Sequence, residues 1–228
     1  MKSLFRRSLP IMMALATLGA HAQYLKNHKA TLSIGGSGQF DTTITSSPRS
    51  VNAFAPLPVS GTYAVTVANQ QQFTTNAAGL VTSLQLDPVS WAGVEFNYGF
   101  THHQERYTFN YTNTATPTAV QQLRVPVDAH EATAAYIVHA HHIPLQPFFG
   151  IGGGAIDFAP TAVAGPNQWR SAGLLEMGFD MPVHWTHVGF RVEGRSLYYR
   201  SPNFYQSAIS TRSWRVTTEP VLSAFYRF

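Results

Sequence analysis

The sequence predicts an all-β chain: a single transmembrane antiparallel up-and-down β-barrel of about eight strands, following a cleaved export signal. Three observations predict it. Segment after segment alternates apolar with polar residues at period two, the signature of a strand with two different faces. Charged residues make up only 11% of the chain while aromatic residues make up 13%, a balance suited to a surface covered by lipid rather than water. The segments are separated by connections that alternate between short and long, as in a barrel with both termini on one side of a membrane.

The N-terminus opens with Lys2, Arg6 and Arg7, followed by an apolar stretch over residues 9–20 and the small-residue site Ala20-His21-Ala22. This is the order of a secretory signal peptide, and the apolar stretch is shorter than the roughly 20 residues a membrane helix needs. The expected division is therefore a signal peptide over 1–22, with cleavage after Ala22, and a barrel domain over 23–228 beginning at Gln23. Of the 15 Lys and Arg residues, those three lie in the signal, so the remainder nearly balances the 11 Asp and Glu. The basic balance of the whole chain is then no argument for nucleic-acid binding. The absence of Cys excludes disulfides and thiolate sites. Beyond the signal no run of eighteen apolar residues follows, so membrane insertion requires a closed barrel.

Strands are expected over residues 29–40, 79–86, 91–101, 129–139, 147–158, 172–180, 187–199 and 214–228. The last is the clearest. Trp214, Val216, Thr218, Pro220, Leu222, Ala224, Tyr226 and Phe228 share one face, and every charge falls on the other. In 187–199, Val188, Phe190, Val192 and Tyr198 alternate with Arg191, Glu193 and Arg195. In 91–101, Val94, Phe96, Tyr98 and Phe100 alternate with a face holding Glu95. In 129–139, Glu131 falls on one face and Tyr136 and Val138 on the other. In 172–180, Glu176 and Asp180 oppose Leu175, Met177 and Phe179. Parity leaves the outward face of 147–158 undecided; its glycines mark a bend or make room for bulky lumen side chains opposite. Short turns are expected at 87–90, 140–146 and 181–186, and long loops at 41–78, 101–127, 159–169 and 200–213. The first loop is long enough that 62–73 reads either as a hairpin arm beyond the membrane or as part of a missed strand pair in a ten-stranded barrel.

With the apolar faces turned to lipid, the charges face inward. Glu95, Glu131, Glu176, Arg191, Glu193, Arg195, Arg215, Glu219 and Arg227 are expected to form a lumen ion-pair network. An eight-stranded barrel is only wide enough for its side chains to fill it, so such pairs plug the bore and fix register. Trp91, Trp185, Trp214, Tyr98, Tyr198 and Tyr226 are placed as interfacial aromatics.

These features resemble those of the small outer-membrane β-barrel family that includes transmembrane barrels similar to OmpA, OmpX, OmpW and the opacity proteins. The matching residues are Ser223-Ala224-Phe225-Tyr226-Arg227-Phe228 with its terminal Phe, the strand from Pro147 through Gly154, and Arg191-x-Glu193-x-Arg195. The resemblance implies that Leu222, Ala224, Tyr226 and Phe228 form the signal read by the barrel-assembly machinery. It also implies a monomer in the bacterial outer membrane with lipid as its surroundings. The long first loop departs from the smallest members.

Ten histidines raise a metal site. His139, His141 and His142 share one expected turn and His184 and His187 another, but no carboxylate or Cys closes a site at ligand spacing, so solvated turn histidines and no metal are expected. His102 and His103 have no partner visible in the sequence. No His-x-Ser or G-x-S-x-G motif supports lipid hydrolysis. The glycines of 147–158 lack the following G-K-[ST] of a phosphate loop. No enzyme activity and no cofactor are therefore expected. The functional expectation is a structural or surface-interaction protein acting through long extracellular loops. The alternatives are a narrow channel for small or hydrophobic solutes and a soluble secreted β-sandwich.

Overall fold

A computed structural model of the chain describes residues 29–54, 62–113, 116–140, 145–161, 166–183, 186–205 and 209–228. The signal segment, with Ala20, Ala22 and Gln23, lies outside them, as do Trp185, His141, His142 and His184. Among the described residues there are eleven strands: β1 (Lys29–Asp41), β2 (Ile44–Ser46), β3 (Arg49–Phe54), β4 (Thr62–Thr74), β5 (Ala77–Val89), β6 (Ala92–Asn113), β7 (Thr116–His139), β8 (Gln146–Pro160), β9 (Gln168–Pro182), β10 (Val188–Arg200) and β11 (Trp214–Arg227).

Eight of them close a ring. Each strand from β5 to β11 pairs antiparallel with the next, and β1 pairs with both β5 and β11. The closing ladder runs from Thr31↔Arg227 to Asp41↔Thr217. A sheet closed on itself leaves no unpaired edge at membrane depth, as a spanning sheet requires. The fold is thus an eight-stranded up-and-down barrel; the β-sandwich and the ten-stranded count are overturned.

The remaining strands lie above this ring. β4 takes the edge of β6 from Glu105 upward (Thr74↔Glu105 to Thr66↔Thr112), where β5 has ended at Gly79↔Thr101. β4 and β5 are therefore two halves of one long strand, stitched at Thr75, whose amide donates to the Gln104 carbonyl and whose hydroxyl accepts from the Gln104 amide. β2 and β3 both pair with β4. The expected loop over 41–78 is thus largely a β-arm, the first of the two readings the sequence left open.

The expected loop over 101–127 is corrected in the same way. β6 and β7 are paired from Ala92↔Val138 to Asn113↔Thr116. At about 3.4 Å per residue, β6, with its 22 residues, is roughly 75 Å long, far more than a membrane requires even when tilted. The polar run His102-His103-Gln104-Glu105-Arg106 looks like loop, yet inward parity persists through it: His103, Glu105, Tyr107 and Phe109 are all buried.

Outside the ring the apolar residues are bare. Ile34, Leu222, Leu80 and Ile151 are each at least 60% exposed, and Phe96, Phe179, Met177 and Phe190 at least 50%. No aqueous surface accommodates a contiguous apolar belt of this kind; a bilayer does. Trp91, Tyr98, Tyr198, Trp214 and Tyr226 all lie on this outer face and are exposed, with Tyr198 stacked on Trp214 at 4.6 Å.

Candidate functional site: the filled bore

Three arginines on β10 and β11, all fully buried, organise the interior. At the lowest level the Arg191 guanidinium donates to Asp180 through Nε (2.6 Å) and Nη2 (3.1 Å), to Glu95 through Nη1 (2.5 Å) and to Gln85 Oε1 (2.7 Å). It lies 4.4 Å from the centroid of the Phe148 ring. The fork geometry of Arg suits this multiple recognition; a Lys would supply a single point charge.

One turn of parity higher, Arg195 donates to Glu131 and, at 3.1 Å, to Glu219. Its Nε stands 3.5 Å from Glu193 and 3.9 Å from Glu176. Thr133 supports Glu131 with a 2.7 Å hydrogen bond. At the third level Arg215 grips Glu105 with both ends of its fork, at 2.5 and 3.0 Å, and His103 Nε2 lies 3.6 Å from the same carboxylate. Arg227 stands at the lower rim, less buried, 3.5 Å from Asp180.

All nine residues expected in the lumen thus point into the bore and lie in these three layers and at the rim. Four further members join the expected nine: Gln85, Glu105, His103 and Asp180. Asp180 shares parity with Glu176 and was legible on its face. Glu105 and His103 are hidden in the sequence because the polar run around them resembles a loop. Gly150 explains part of the glycine-rich strand β8, since a Cβ there would lie 2.6–2.7 Å from Glu176 side-chain atoms. The gap makes room for a lumen carboxylate.

Among the described residues, one group of three possible metal ligands occurs: Glu95, Glu176 and Glu193, whose carboxylate oxygens lie within 4.8 Å of one another. Arg191 and Arg195 already stand against it as cations. Of the two described turn histidines, one departs from the expectation. His139 is buried, its Nε2 2.8 Å from Gln85 Nε2, instead of solvated. His187 is exposed, with Nδ1 3.0 Å from the Arg227 carbonyl. His102 has a partner, Asp128, at 2.7 Å on the outer wall.

Around the Arg215–Glu105 pair the bore becomes apolar and aromatic: Val67, Tyr107, Val127, Phe158 and Tyr199 are buried together, with His103 edge-on to Phe158 at 6.3 Å. The β10–β11 connection folds down onto them. Its Pro202 carbonyl accepts hydrogen bonds from Tyr107 Oη and Gln72 Nε2, each 2.9 Å. Gln168 Oε1 accepts from the amides of Asn203 and Phe204. Phe204 and Ile209 are buried by this descent, and Phe204, Tyr205 and Arg212 take positive φ to make it. Between the Arg195 layer and this cluster lies a cavity of about 20 Å³ bordered by Ser37, Gln39, Glu131, Phe158, Tyr199 and Glu219, enough for about one water. Leu222, Ala224, Tyr226 and Phe228, expected as an insertion signal, form the lipid-facing side of β11, Phe228 just past its end.

No protein-family model matches the chain, and no curated protein does. Among solved structures the chain is similar to the outer membrane protein OprG from Pseudomonas aeruginosa (13% identity, 89% of this chain and 97% of that chain, TM-score 0.49). It is also similar to Ail, the attachment invasion locus protein of Yersinia pestis (11% identity, 89% and 99%, TM-score 0.42), and to Neisserial surface protein A (10% identity, 89% and 98%, TM-score 0.42). The chain has the eight-stranded antiparallel barrel fold of the small outer-membrane proteins, an assignment carried by its own strand pairing and its apolar outer face.

Proposed function

We propose that the chain is an integral protein of a bacterial outer membrane whose barrel is an occluded scaffold, and whose contacts are made at the cell surface. The β-arm (β2 to β4) and the tall β6–β7 hairpin present those contacts. The observation that carries this reading is the filling of the bore: two buried arginine–carboxylate layers, then the Arg215–Glu105 pair set among aromatic side chains, then the inward-folded β10–β11 connection. A narrow passage for solutes would need a gap through this stack. A dent of about 380 Å³ in the outer wall, lined by Met177, Phe179, Val192 and Gly194 among others, does not reach the bore as a passage. The β9–β10 ladder behind it is unbroken from Gly189↔Pro182 to Tyr199↔Ala172.

The test is electrical. Purified barrel inserted into a planar bilayer is expected to stay silent. Steady conductance steps that scale with the number of inserted molecules would overturn the occluded scaffold in favour of a channel. Assembly is proposed to depend on the lipid-facing C-terminal side chains Leu222, Ala224, Tyr226 and Phe228, read by the barrel-assembly machinery.

A further inference from the structure

Charge is sorted across the barrel wall. Of the 11 acidic residues, nine are buried: Asp87, Glu95, Glu105, Glu131, Asp157, Glu176, Asp180, Glu193 and Glu219. The other two are engaged, Asp41 with Thr74 and Thr217, and Asp128 with His102. Arginines on the outer face of the upper half therefore have no carboxylate to meet. Two of them, Arg106 on β6 and Arg124 on β7, stand directly opposite one another in the ladder. Both side chains reach the surface. Neither forms an ion pair among the described residues; Arg106 Nε donates to Gln104 Oε1 at 3.1 Å. Like charges directly opposite each other across strands are destabilising unless something of opposite charge lies between them. Two adjacent guanidinium forks make a fit for a phosphate, whose oxygens take bidentate hydrogen bonds from each.

Height along the barrel narrows the source of that phosphate. On β6 the apolar outer belt runs from Trp91, just before the strand, to Phe100. These nine steps span about 30 Å along the strand and about 23 Å along the membrane normal at a tilt of roughly 40°. This matches the ~25 Å apolar band of such barrels. Arg106 lies six residues further, about 15 Å above that band by the same conversion. An ordinary phospholipid carries its phosphate within roughly 5–8 Å of the hydrocarbon edge, near the level of His102. A phosphate borne on a saccharide headgroup extends higher.

Polar groups on the same two strands fill the intervening height. The Tyr98 hydroxyl lies 2.8 Å from His130 Nδ1, the His102–Asp128 pair stands one rung above His130, and Gln104 comes next. They form a hydrogen-bonding strip from the belt to the arginine pair.

We propose that Arg106 and Arg124 clamp a phosphate on the saccharide headgroup of an outer-leaflet glycolipid, with the Tyr98–His130 and His102–Asp128 strip lying along its sugars. This rests on the outer-membrane reading above and names a lipid partner for the β6–β7 face.

The test uses the full barrel in a phosphate-free non-ionic detergent, titrated calorimetrically. The probes are a rough-type lipopolysaccharide, the same lipid after chemical dephosphorylation, phosphatidic acid and a heparin fragment. Phosphorylated glycolipid is expected to bind about tenfold or more tightly than its dephosphorylated form and than phosphatidic acid. R106Q/R124Q is expected to abolish that preference, R106K/R124K to retain part of it, and R200Q/R212Q to leave it unchanged. Equal binding of the phosphorylated and dephosphorylated lipids overturns the clamp. So does a preference that survives in R106Q/R124Q, or a heparin fragment that outbinds the glycolipid at this pair. Each protein is also run boiled and unboiled on SDS gels. A heat-dependent shift with no phosphate preference defeats the clamp alone, whereas no shift in the parent chain defeats the membrane barrel and the clamp with it.

Discussion

Arg195 has no exposed surface and faces four carboxylates, those of Glu131, Glu219, Glu193 and Glu176. Arg195→Ala strands these groups without their cation in a bore closed to water. Breaking a buried pair in this way costs about 3–5 kcal/mol. The expected readout is a markedly lower temperature for loss of the folded gel band, with Arg195→Lys intermediate. Gly150 makes the complementary case. Gly150→Val pushes a branched side chain into Glu176 and is expected to cost about 1–3 kcal/mol, measured by urea titration in detergent, while Gly194→Ala, whose Cβ meets nothing closer than a carbonyl at 4.0 Å, is near neutral. Parity alone turned Arg191, Glu193 and Arg195 inward, because three charges at period two leave one face free of them. The partner of each charge was not legible, since pairing across the bore depends on the register of strands far apart in sequence, as in Arg215 with Glu105.

The eight membrane strands are legible because each is bounded by a turn or loop, and five of them, 91–101, 129–139, 172–180, 187–199 and 214–228, also show an apolar face. The upper ends could not. Above the belt both faces of β6 carry polar residues, so Thr101 marks the end of the lipid signal and not the end of the strand. The β4–β5 break at Thr75 and Asn76 and the bulge between Ala68 and Gln71 also interrupt the alternation that a single long strand would show. Gln72 is the tie at this scale. Its amide donates to Glu105 (3.1 Å), Tyr107 (3.2 Å) and the Pro202 carbonyl (2.9 Å), and its Oε1 accepts from Thr211 (3.1 Å). Arm, hairpin and connection meet on one side chain. Gln72→Ala is expected to speed amide hydrogen exchange in β2, β4 and the β10–β11 connection while leaving β8 to β10 protected. Equal acceleration around the whole ring would contradict a local tie.

The molecule as a whole reverses the arrangement of a water-soluble domain: carboxylates and guanidiniums inside, isoleucine, leucine and aromatic side chains outside. That inversion is stable only with lipid around it and with the inner charges matched, so the two halves of the account stand together. It also sets what the upper half can do. With the bore filled, contact with the surroundings falls to the outer wall, where the acidic residues are nearly absent and the arginines stand unmatched.

The measurement that tests the membrane barrel most directly is electrophoresis of the detergent-refolded chain over residues 23–228, boiled and unboiled in SDS. A closed barrel, its ladders complete from β1 round to β11, resists SDS until heated and is expected to migrate differently in the two lanes. Identical migration, together with solubility in the absence of detergent, would place the apolar outer belt against protein rather than lipid and contradict the account.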